Sequence, residues 1–199
     1  PNPPLNSCML PGPKYLNNME GILLRFRVAN TIALGDIKNC YHKILSGPRD
    51  SSLRRIFIKP NGMGSESDQW REACFGTVSF GDVLGGAIAQ AAIGDCSERF
   101  ISAPTRDILQ NSIYMDDLLF GADKDINQKV KEVNAGLKKG NFIVKQWTMS
   151  GDPADTKCLS YIYHAKEDKF SVRPKINWAP KKRWVRKAVD CKTYHEIVE

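Results

Sequence analysis

The sequence lacks the features that define several common classes of protein. No stretch of its 199 residues approaches the roughly 18 consecutive apolar residues that a membrane-spanning helix needs, so no membrane partner is expected. Its six cysteines are widely scattered without a Cys-x-x-Cys pair, and only three histidines are present. These absences argue against a zinc site and against the disulfide framework of a small secreted domain. Reduced cysteines in an intracellular protein are therefore expected.

The composition is that of an ordinary globular domain with an uneven charge. Apolar residues make up 42% of the chain and charged residues 26%, which allows a sizeable core and excludes a disordered or low-complexity chain. Ten Lys and Arg against five Asp and Glu in residues 166–199 give +5 of the net charge of +7. Such a basic tail suits a polyanion partner, but it also fits a solvated surface.

The start of the chain reads as a loop. Pro1 is followed by four more prolines within the first 13 residues, and no signal-peptide pattern accompanies them. We therefore expect the chain to be a piece of a longer one, with any localisation signal outside it.

The hydrophobic pattern predicts helices interleaved with pairs of strands. The expected elements are a helix from Pro13, a strand at 32–36, a hairpin of 54–59 and 71–77, a helix at 83–93 capped by Asp82 and closed by Gly94, strands at 107–114 and 118–122, a helix from Asp123 to Gly140, and strands at 142–147, 159–164 and 169–172. This order indicates an α+β fold, a mostly antiparallel sheet with helices on one face.

The most unusual feature is the pair Asp116-Asp117, which lies between apolar runs. Adjacent carboxylates repel each other, and a half-buried turn removes them from water. A divalent cation would offset both costs, although an ordinary Asp-rich turn is the simpler interpretation of two aspartates. A third carboxylate, Asp36, ends a strand that is expected to be buried. If that strand pairs beside the Asp116 hairpin, three hard oxygen ligands converge and suit Mg²⁺.

Two segments resemble the palm of reverse transcriptases. Residues 34–44 read Leu-Gly-Asp-Ile-Lys-Asn-Cys-Tyr-His-Lys-Ile, and residues 114–117 read Tyr-Met-Asp-Asp. More narrowly, the chain looks like the Bel/Pao group of long-terminal-repeat retrotransposons. That resemblance rests on Leu-Pro-Gly-Pro at 10–13, Leu-Leu-Arg-Phe-Arg at 23–27, Ser-Phe-Gly-Asp at 79–82 and Pro-Lys-Ile-Asn at 174–177. The resemblance covers nearly the whole chain and implies a polymerase palm-like sheet.

The resemblance also implies a catalytic metal site. Asp36, Asp116 and Asp117 would hold two Mg²⁺ ions, with the backbone carbonyl of Ile37 as a further ligand and Mn²⁺ as a substitute metal. Lys145 resembles the lysine that neutralises or protonates the leaving pyrophosphate, although a solvated strand lysine is an equally ordinary interpretation.

Further positions match residues that bind the nucleotide or the nucleic acid. Tyr41 would exclude a 2′-hydroxyl, Phe80 and Gly81 would pack against the nucleotide and template, and Met115 would touch the primer end. A core aromatic is the alternative interpretation of both Tyr41 and Phe80. Arg55 and Lys59 are candidates for template or phosphate contacts, with plain surface charges as the alternative.

The chain departs from the family pattern near the nucleotide site and at the expected primer grip. Gly85-Gly86 replaces the Ser-Pro pair of many relatives, and an alternative alignment on Phe75-Gly76 lacks that proline as well. The Leu-Gly-x-x-Trp expected near the primer grip is matched only by Leu-Ser-Tyr-Ile-Tyr at 159–163.

The resemblance divides the chain into three parts. Residues 1–30 would join fingers to palm, residues 31–150 would form the palm core, and residues 151–199 would form primer-grip-like strands and a basic tail. The implied partners are an RNA or DNA template-primer, deoxynucleoside triphosphates (dNTPs) and the fingers, thumb and ribonuclease H of a polyprotein. The implied location is the cytoplasm, in a virus-like particle, or the nucleus.

The function expected on this basis is RNA-directed DNA polymerase. A catalytically inactive or co-opted palm that binds nucleic acid or protein is the main alternative. A metal-dependent nuclease, with His42 as the nearest candidate base, is a third.

Overall fold

The computed structural model describes residues 3–59, 69–159 and 161–172. The helices are α1 (Leu5–Cys8), α2 (Met19–Val28), α3 (Pro48–Leu53), α4 (Gly85–Phe100), α5 (Ala103–Ser112) and α6 (Ile126–Lys139), with a 3₁₀ turn at Tyr41–Lys43. The strands are β1 (Thr31–Ile37), β2 (Arg55–Ile58), β3 (Arg71–Cys74), β4 (Ile113–Tyr114), β5 (Asp117–Ala122), β6 (Val144–Met149), β7 (Asp155–Cys158), β8 (Tyr161–His164) and β9 (Lys169–Val172). Among these helices, none combines the length and apolar character that a membrane span requires.

The chain divides into two compact units, Pro1–Trp147 and Thr148–Glu199. The three-part division at residues 30 and 150 stays a prediction. The basic tail from residue 173 onward, with its Pro-Lys-Ile-Asn motif, lies outside the described residues.

The first unit is built on a four-stranded sheet in the order β4-β5-β1-β6. Strands β1 and β5 pair antiparallel, from Thr31 opposite Ala122 to Asp36 opposite Asp117. Antiparallel pairing combined with helices confirms the predicted α+β class. The successive residues Leu118, Leu119 and Phe120 are each at most 1% exposed, and successive strand side chains point to opposite faces. Both faces of the sheet are therefore buried at its centre. The sequence predicted helices on one face only.

Helix α6 shows how the sequence pattern determines an element. Ile126, Val130, Val133 and Leu137 are buried as their helical spacing predicts, and the helix ends at Gly140. Its start differs from the prediction: Asp125, not Asp123, is the residue before the helix, and Asp123 accepts hydrogen bonds from Asn30 instead.

Three other predicted elements are wrong in type or extent. Most of the strand expected at 107–114 is helix α5, which has a proline in its first turn, and only Ile113–Tyr114 are extended. Helix α4 begins at Gly85, runs past Gly94 and ends at Phe100. Helix α2 starts at Met19 rather than Pro13, because the side chain of Asn18 accepts a hydrogen bond from the backbone of Gly21.

The predicted hairpin of β2 and β3 is confirmed by antiparallel pairing from Arg55 opposite Cys74 to Ile58 opposite Arg71. The turn expected between these strands lies outside the described residues.

The second unit contains a three-stranded antiparallel sheet in the order β7-β8-β9. Tyr163 on the central strand is fully buried. His164 links the three strands, because its Nδ1 lies 2.9 Å from Oδ2 of Asp155 and its Nε2 lies 2.8 Å from Oγ of Ser171. Strands β8 and β9 confirm the prediction, whereas the sequence did not predict β7.

Candidate functional site

The candidate site is built around a two-residue hairpin turn. Tyr114 on β4 pairs with Asp117 on β5, so Met115 and Asp116 form the turn. Met115 has a φ of 55°, and a positive φ at the first turn position is typical of tight hairpins but usually belongs to glycine. The turn therefore carries backbone strain at Met115.

The hairpin places its two aspartates beside the end of β1. Asp36 lies directly opposite Asp117 in the β1–β5 register. The backbone N–H of Ile37 donates a 2.9 Å hydrogen bond to the carbonyl of Asp116. Asp36 and the adjacent pair Asp116-Asp117, about 80 positions apart in sequence, are thus brought to the same end of one sheet.

The electrostatics of this cluster disfavour negative charge on Asp116. Burial is the main reason why the pKa of the Asp116 carboxyl is raised, and the charge of Asp36 adds to it. The backbone N–H of Asp116 and the charge of Lys145 act in the opposite direction. Burial, followed by the charges of Asp116 and Asp36, raises the pKa of the nearby Cys40 thiol to about 12. A cation bound here would relieve this repulsion.

Lys145 supplies a cation from within the chain. Strand β6 lies next to β1, and Lys145 Nζ is 2.8 Å from Asp36 Oδ2. This hydrogen bond is the main cause of the raised pKa of the Lys145 ammonium group. The other carboxylate oxygen, Asp36 Oδ1, is buried and has no hydrogen-bond partner among the described residues. An unsatisfied buried oxygen of this kind needs a partner that the described residues do not provide.

The donor chemistry of the cluster fits a magnesium ion. Carboxylate and backbone carbonyl oxygens are the protein ligands that Mg²⁺ prefers, and Asp36 Oδ1 is unpaired among the described residues. As the side chains stand, however, no group of three or more His, Cys, Asp or Glu in the described part of the chain is arranged to hold a metal ion. Metal ligation by these aspartates and by the carbonyl of Ile37 stays a prediction.

One aromatic ring, that of Tyr41, lies near the carboxylates and packs against a second, that of Phe80. Tyr41, in the 3₁₀ turn after β1, has its ring centroid 4.8 Å from that of Phe80. Burial raises the pKa of the Tyr41 hydroxyl, and the charge of Asp116 contributes to the shift. Gly85 permits this packing, because a Cβ there would lie 3.3 Å from Cε1 of Tyr41. The glycine that replaces the expected serine therefore gives the Tyr41 ring its space.

The remaining predicted residues lie in two places. Gly81 follows Phe80 in the loop before α4 and has a φ of +91°. Arg55 and Lys59 belong to the β2–β3 region, where Arg55 pairs with Glu72 at 3.0 Å and the Lys59 ammonium lies 5.6 Å from the centroid of Trp70.

Sequence reasoning missed Gln90 as part of the site. This buried residue of α4 donates a 3.0 Å hydrogen bond from Nε2 to the carbonyl of Met115. The sequence feature that could have identified Gln90 is a single amide side chain within an Ala- and Gly-rich helix, next to Ala89 and near Ile93, which are both buried. A polar side chain on a buried helix face needs a partner, and here the partner is the strained turn.

Comparison of the chain with models of protein families gives no match. Comparison with curated proteins gives no match either. Functional interpretation therefore depends on the geometry of the cluster and on the sequence motifs.

Proposed function

We propose that this protein is the palm of an RNA-directed DNA polymerase of a Bel/Pao-type retroelement. The observation that carries the proposal is the register that sets Asp36 opposite Asp117, with Asp116 in the adjoining turn. Together with the Tyr-Met-Asp-Asp motif, this arrangement supports transfer of a nucleotidyl group from a dNTP to a primer 3′-hydroxyl.

The three aspartates and the carbonyl of Ile37 are the proposed ligands of two Mg²⁺ or Mn²⁺ ions. When bound, such a pair of ions supplies Lewis-acid stabilisation of the attacking and leaving oxygens of phosphoryl transfer. The chain itself supplies the strained turn, which keeps the backbone of Asp116 and Asp117 next to the end of β1. The change needed to surround a metal would then be limited to the side chains.

The neighbouring side chains have distinct proposed roles. Tyr41, supported by Phe80, occupies the space that a ribose 2′-hydroxyl would need, so deoxynucleotides are selected. Met115 contacts the primer end, and Gly81 lets the loop backbone pass close to the nucleotide and template. Lys145 is protonated at neutral pH, as lysines ordinarily are, and its hydrogen bond to Asp36 raises its pKa further. Its ammonium group can therefore neutralise the leaving pyrophosphate and donate a hydrogen bond to it.

The decisive test is primer extension by the intact polymerase that the proposal implies, the palm together with its fingers and thumb, carrying Asp116→Asn. Loss of a metal-binding carboxylate removes several kcal/mol of transition-state stabilisation, so extension should fall by about 10²- to 10⁴-fold. Asp107→Asn is the matched control, because its side chain is 68% exposed on α5, and it should retain wild-type extension. Unchanged extension by Asp116→Asn would contradict the proposal. Cleavage of RNA or DNA in Mg²⁺ without nucleotides would favour a nuclease instead.

The ion pair between Lys145 and Asp36 favours a second candidate function. Lys145 offsets the negative charge of Asp36, so the cluster depends less on a bound metal ion for its charge balance. Such a palm could be inactive or co-opted and act in binding nucleic acid or protein. Binding of a template-primer without extension, at Mg²⁺ concentrations that saturate related polymerases, would support this alternative.

A further inference from the structure

The loop from Ser79 to Val83 presents Phe80 to the solvent side of the site. Phe80 is 62% exposed, so core packing does not determine where its ring lies. Its ring centroid is nevertheless 4.8 Å from that of Tyr41 and 5.1 Å from that of His42. The position of the ring therefore depends on the backbone of the loop as well as on these two neighbouring rings.

A buried ion pair anchors the loop from one side. Arg54 Nε lies 2.6 Å from Asp82 Oδ2, and the two side chains are only 8% and 10% exposed. Arg54 is itself fixed by a 3.1 Å hydrogen bond from Nη1 to the carbonyl of Asp50. A buried pair with this geometry is costly to break, since either partner alone would be a buried unpaired charge.

An asparagine anchors the same loop on both sides of Asp82. Asn6 Nδ2 donates a 2.7 Å hydrogen bond to the carbonyl of Gly81, and Asn6 Oδ1 accepts a 3.3 Å hydrogen bond from the N–H of Val83. Gly81 needs these constraints because glycine, which adopts a φ of +91° here, has no side chain to restrict its backbone to one conformation.

We propose that Arg54, Asp82 and Asn6 are positioning residues that hold Phe80 against Tyr41 and thereby set the selectivity for the sugar of the incoming nucleotide. The proposal rests on the proposed polymerase function. Tyr41 can exclude a 2′-hydroxyl only if its ring cannot move aside, and Phe80 is the side chain that limits this movement. We refer to the three residues as the loop clamp.

The first test compares extension with dNTPs and with ribonucleotides by the intact polymerase that the proposed function implies, the palm together with its fingers and thumb. The variants are Asn6→Ala and Asp82→Asn, with Tyr41→Ala as the reference for lost selectivity. We expect each clamp variant to reduce the dNTP preference on the order of tenfold, the size of effect typical of small changes in pocket shape. The change should appear mainly as a lower KM for the ribonucleotide, because a mobile Tyr41 ring no longer excludes the 2′-hydroxyl, while KM and kcat for the dNTP change little.

The ratio of the two nucleotides separates positioning from general destabilisation. Partial unfolding reduces the amount of active protein for both nucleotides equally and leaves their ratio unchanged. Arg99→Gln is the matched control, because it breaks an Arg–Asp pair that is exposed on α4, 2.9 Å from Asp95. It should keep wild-type selectivity.

A second measurement tests the loop clamp without catalysis. Chymotrypsin cleaves after phenylalanine when the backbone around it can open, so cleavage at Phe80 reports on the loop. We expect Asn6→Ala to be cleaved at Phe80 several-fold faster than the wild type, with Arg99→Gln unchanged. If Asp82→Asn does not fold, the results for Asn6→Ala alone, in nucleotide selectivity and in cleavage at Phe80, test the proposal.

Each failure points to a different claim. Folded clamp variants with wild-type selectivity overturn the selectivity proposal, and unchanged cleavage at Phe80 overturns the loop clamp. Absence of extension by the wild type, or full selectivity in Tyr41→Ala, contradicts the proposed function on which the selectivity depends. In that case cleavage at Phe80 still decides whether the loop is clamped.

Discussion

Asp116 is held in a half-buried turn beside a second carboxylate, and both conditions raise its pKa. A carboxyl with a raised pKa in the folded state favours its protonated form there. Stability is therefore greatest below the ordinary aspartate pKa and is lost as the pH rises through the folded value. We expect Asp116→Asn to raise the melting temperature at pH 7 in the presence of EDTA, measured by differential scanning fluorimetry. The difference from the wild type should shrink as the pH falls through the raised folded value and should be lost below about pH 4.

The same substitution that is expected to abolish extension should thus stabilise the fold. Asp107→Asn on α5 is again the control, and its melting temperature should not depend on pH in this way. A lower melting temperature for Asp116→Asn than for the wild type at pH 7 would show that the charged Asp116 carboxylate does not destabilise the fold. Opposite effects on activity and stability are typical of a functional residue.

Gln90 supports the strained turn through one hydrogen bond to the carbonyl of Met115. Gln90→Ala leaves that part-buried carbonyl without its donor, so the free energy of unfolding should fall by about 1 kcal/mol in urea denaturation. Gln128→Ala, at an exposed position of α6, is the matched control and should change stability by less than about 0.5 kcal/mol. Equal effects of the two substitutions would argue against a specific role for Gln90 in holding the turn.

The helices and strands differ in how well local sequence determines them. Helix α6 follows from its apolar spacing, since its periodicity and its burial agree. Helix α5 does not, because apolar residues at 108, 109 and 113 suit a strand as well as a helix when they are considered alone. Its helical state is set by contacts that local pattern does not reveal, including one from α6 to its first turn.

That contact is made by Glu132, which takes the place of a cap at the start of α5. Ser102 makes no side-chain cap there. Glu132 Oε1 accepts a 2.7 Å hydrogen bond from the N–H of Ser102, and its Oε2 accepts a 2.6 Å bond from Thr105 Oγ1. These hydrogen bonds lower the pKa of the Glu132 carboxyl. The stabilisation is therefore present above the ordinary glutamate pKa and is lost as the pH falls through the folded value.

We expect Glu132→Gln to reduce the free energy of unfolding at pH 7 by about 1 kcal/mol, the usual value of a helix cap. Urea denaturation at pH 7 and at pH 3 measures the effect, and the two proteins should converge at the lower pH. Glu98→Gln on α4 serves as the control, since its side chain is exposed. A difference that is equally large at both pH values would mean that charge on Glu132 is unimportant.

Across the whole molecule, the sequence predicted which carboxylates lie at one end of the sheet better than it predicted what surrounds them. Asp36, Asp116 and Asp117 stand out because acidic residues interrupt apolar runs. The supporting contacts join positions far apart in the chain: 75 residues separate Asn6 from Gly81, and 109 separate Asp36 from Lys145. Several of these partners are backbone atoms, which every residue type has, so the sequence does not identify them. The loop clamp and the internal ion pair could therefore be found only once the fold was known.

The ion pair of Lys145 with Asp36 links metal binding to the stability of the whole protein. Lys145 is half-exposed, so the pair itself contributes about 1 kcal/mol or less, but its charge also offsets the repulsion among three carboxylates. We expect Lys145→Met to lower the melting temperature in EDTA. Because a ligand that binds only the folded state raises its stability, Mg²⁺ should then raise the melting temperature more in Lys145→Met than in the wild type. Lys138→Met, at an exposed position of α6, is the control and should behave as the wild type in both conditions. If Mg²⁺ shifts neither the wild type nor Lys145→Met, the aspartates do not hold the metal, and the binding function becomes the better explanation of the cluster.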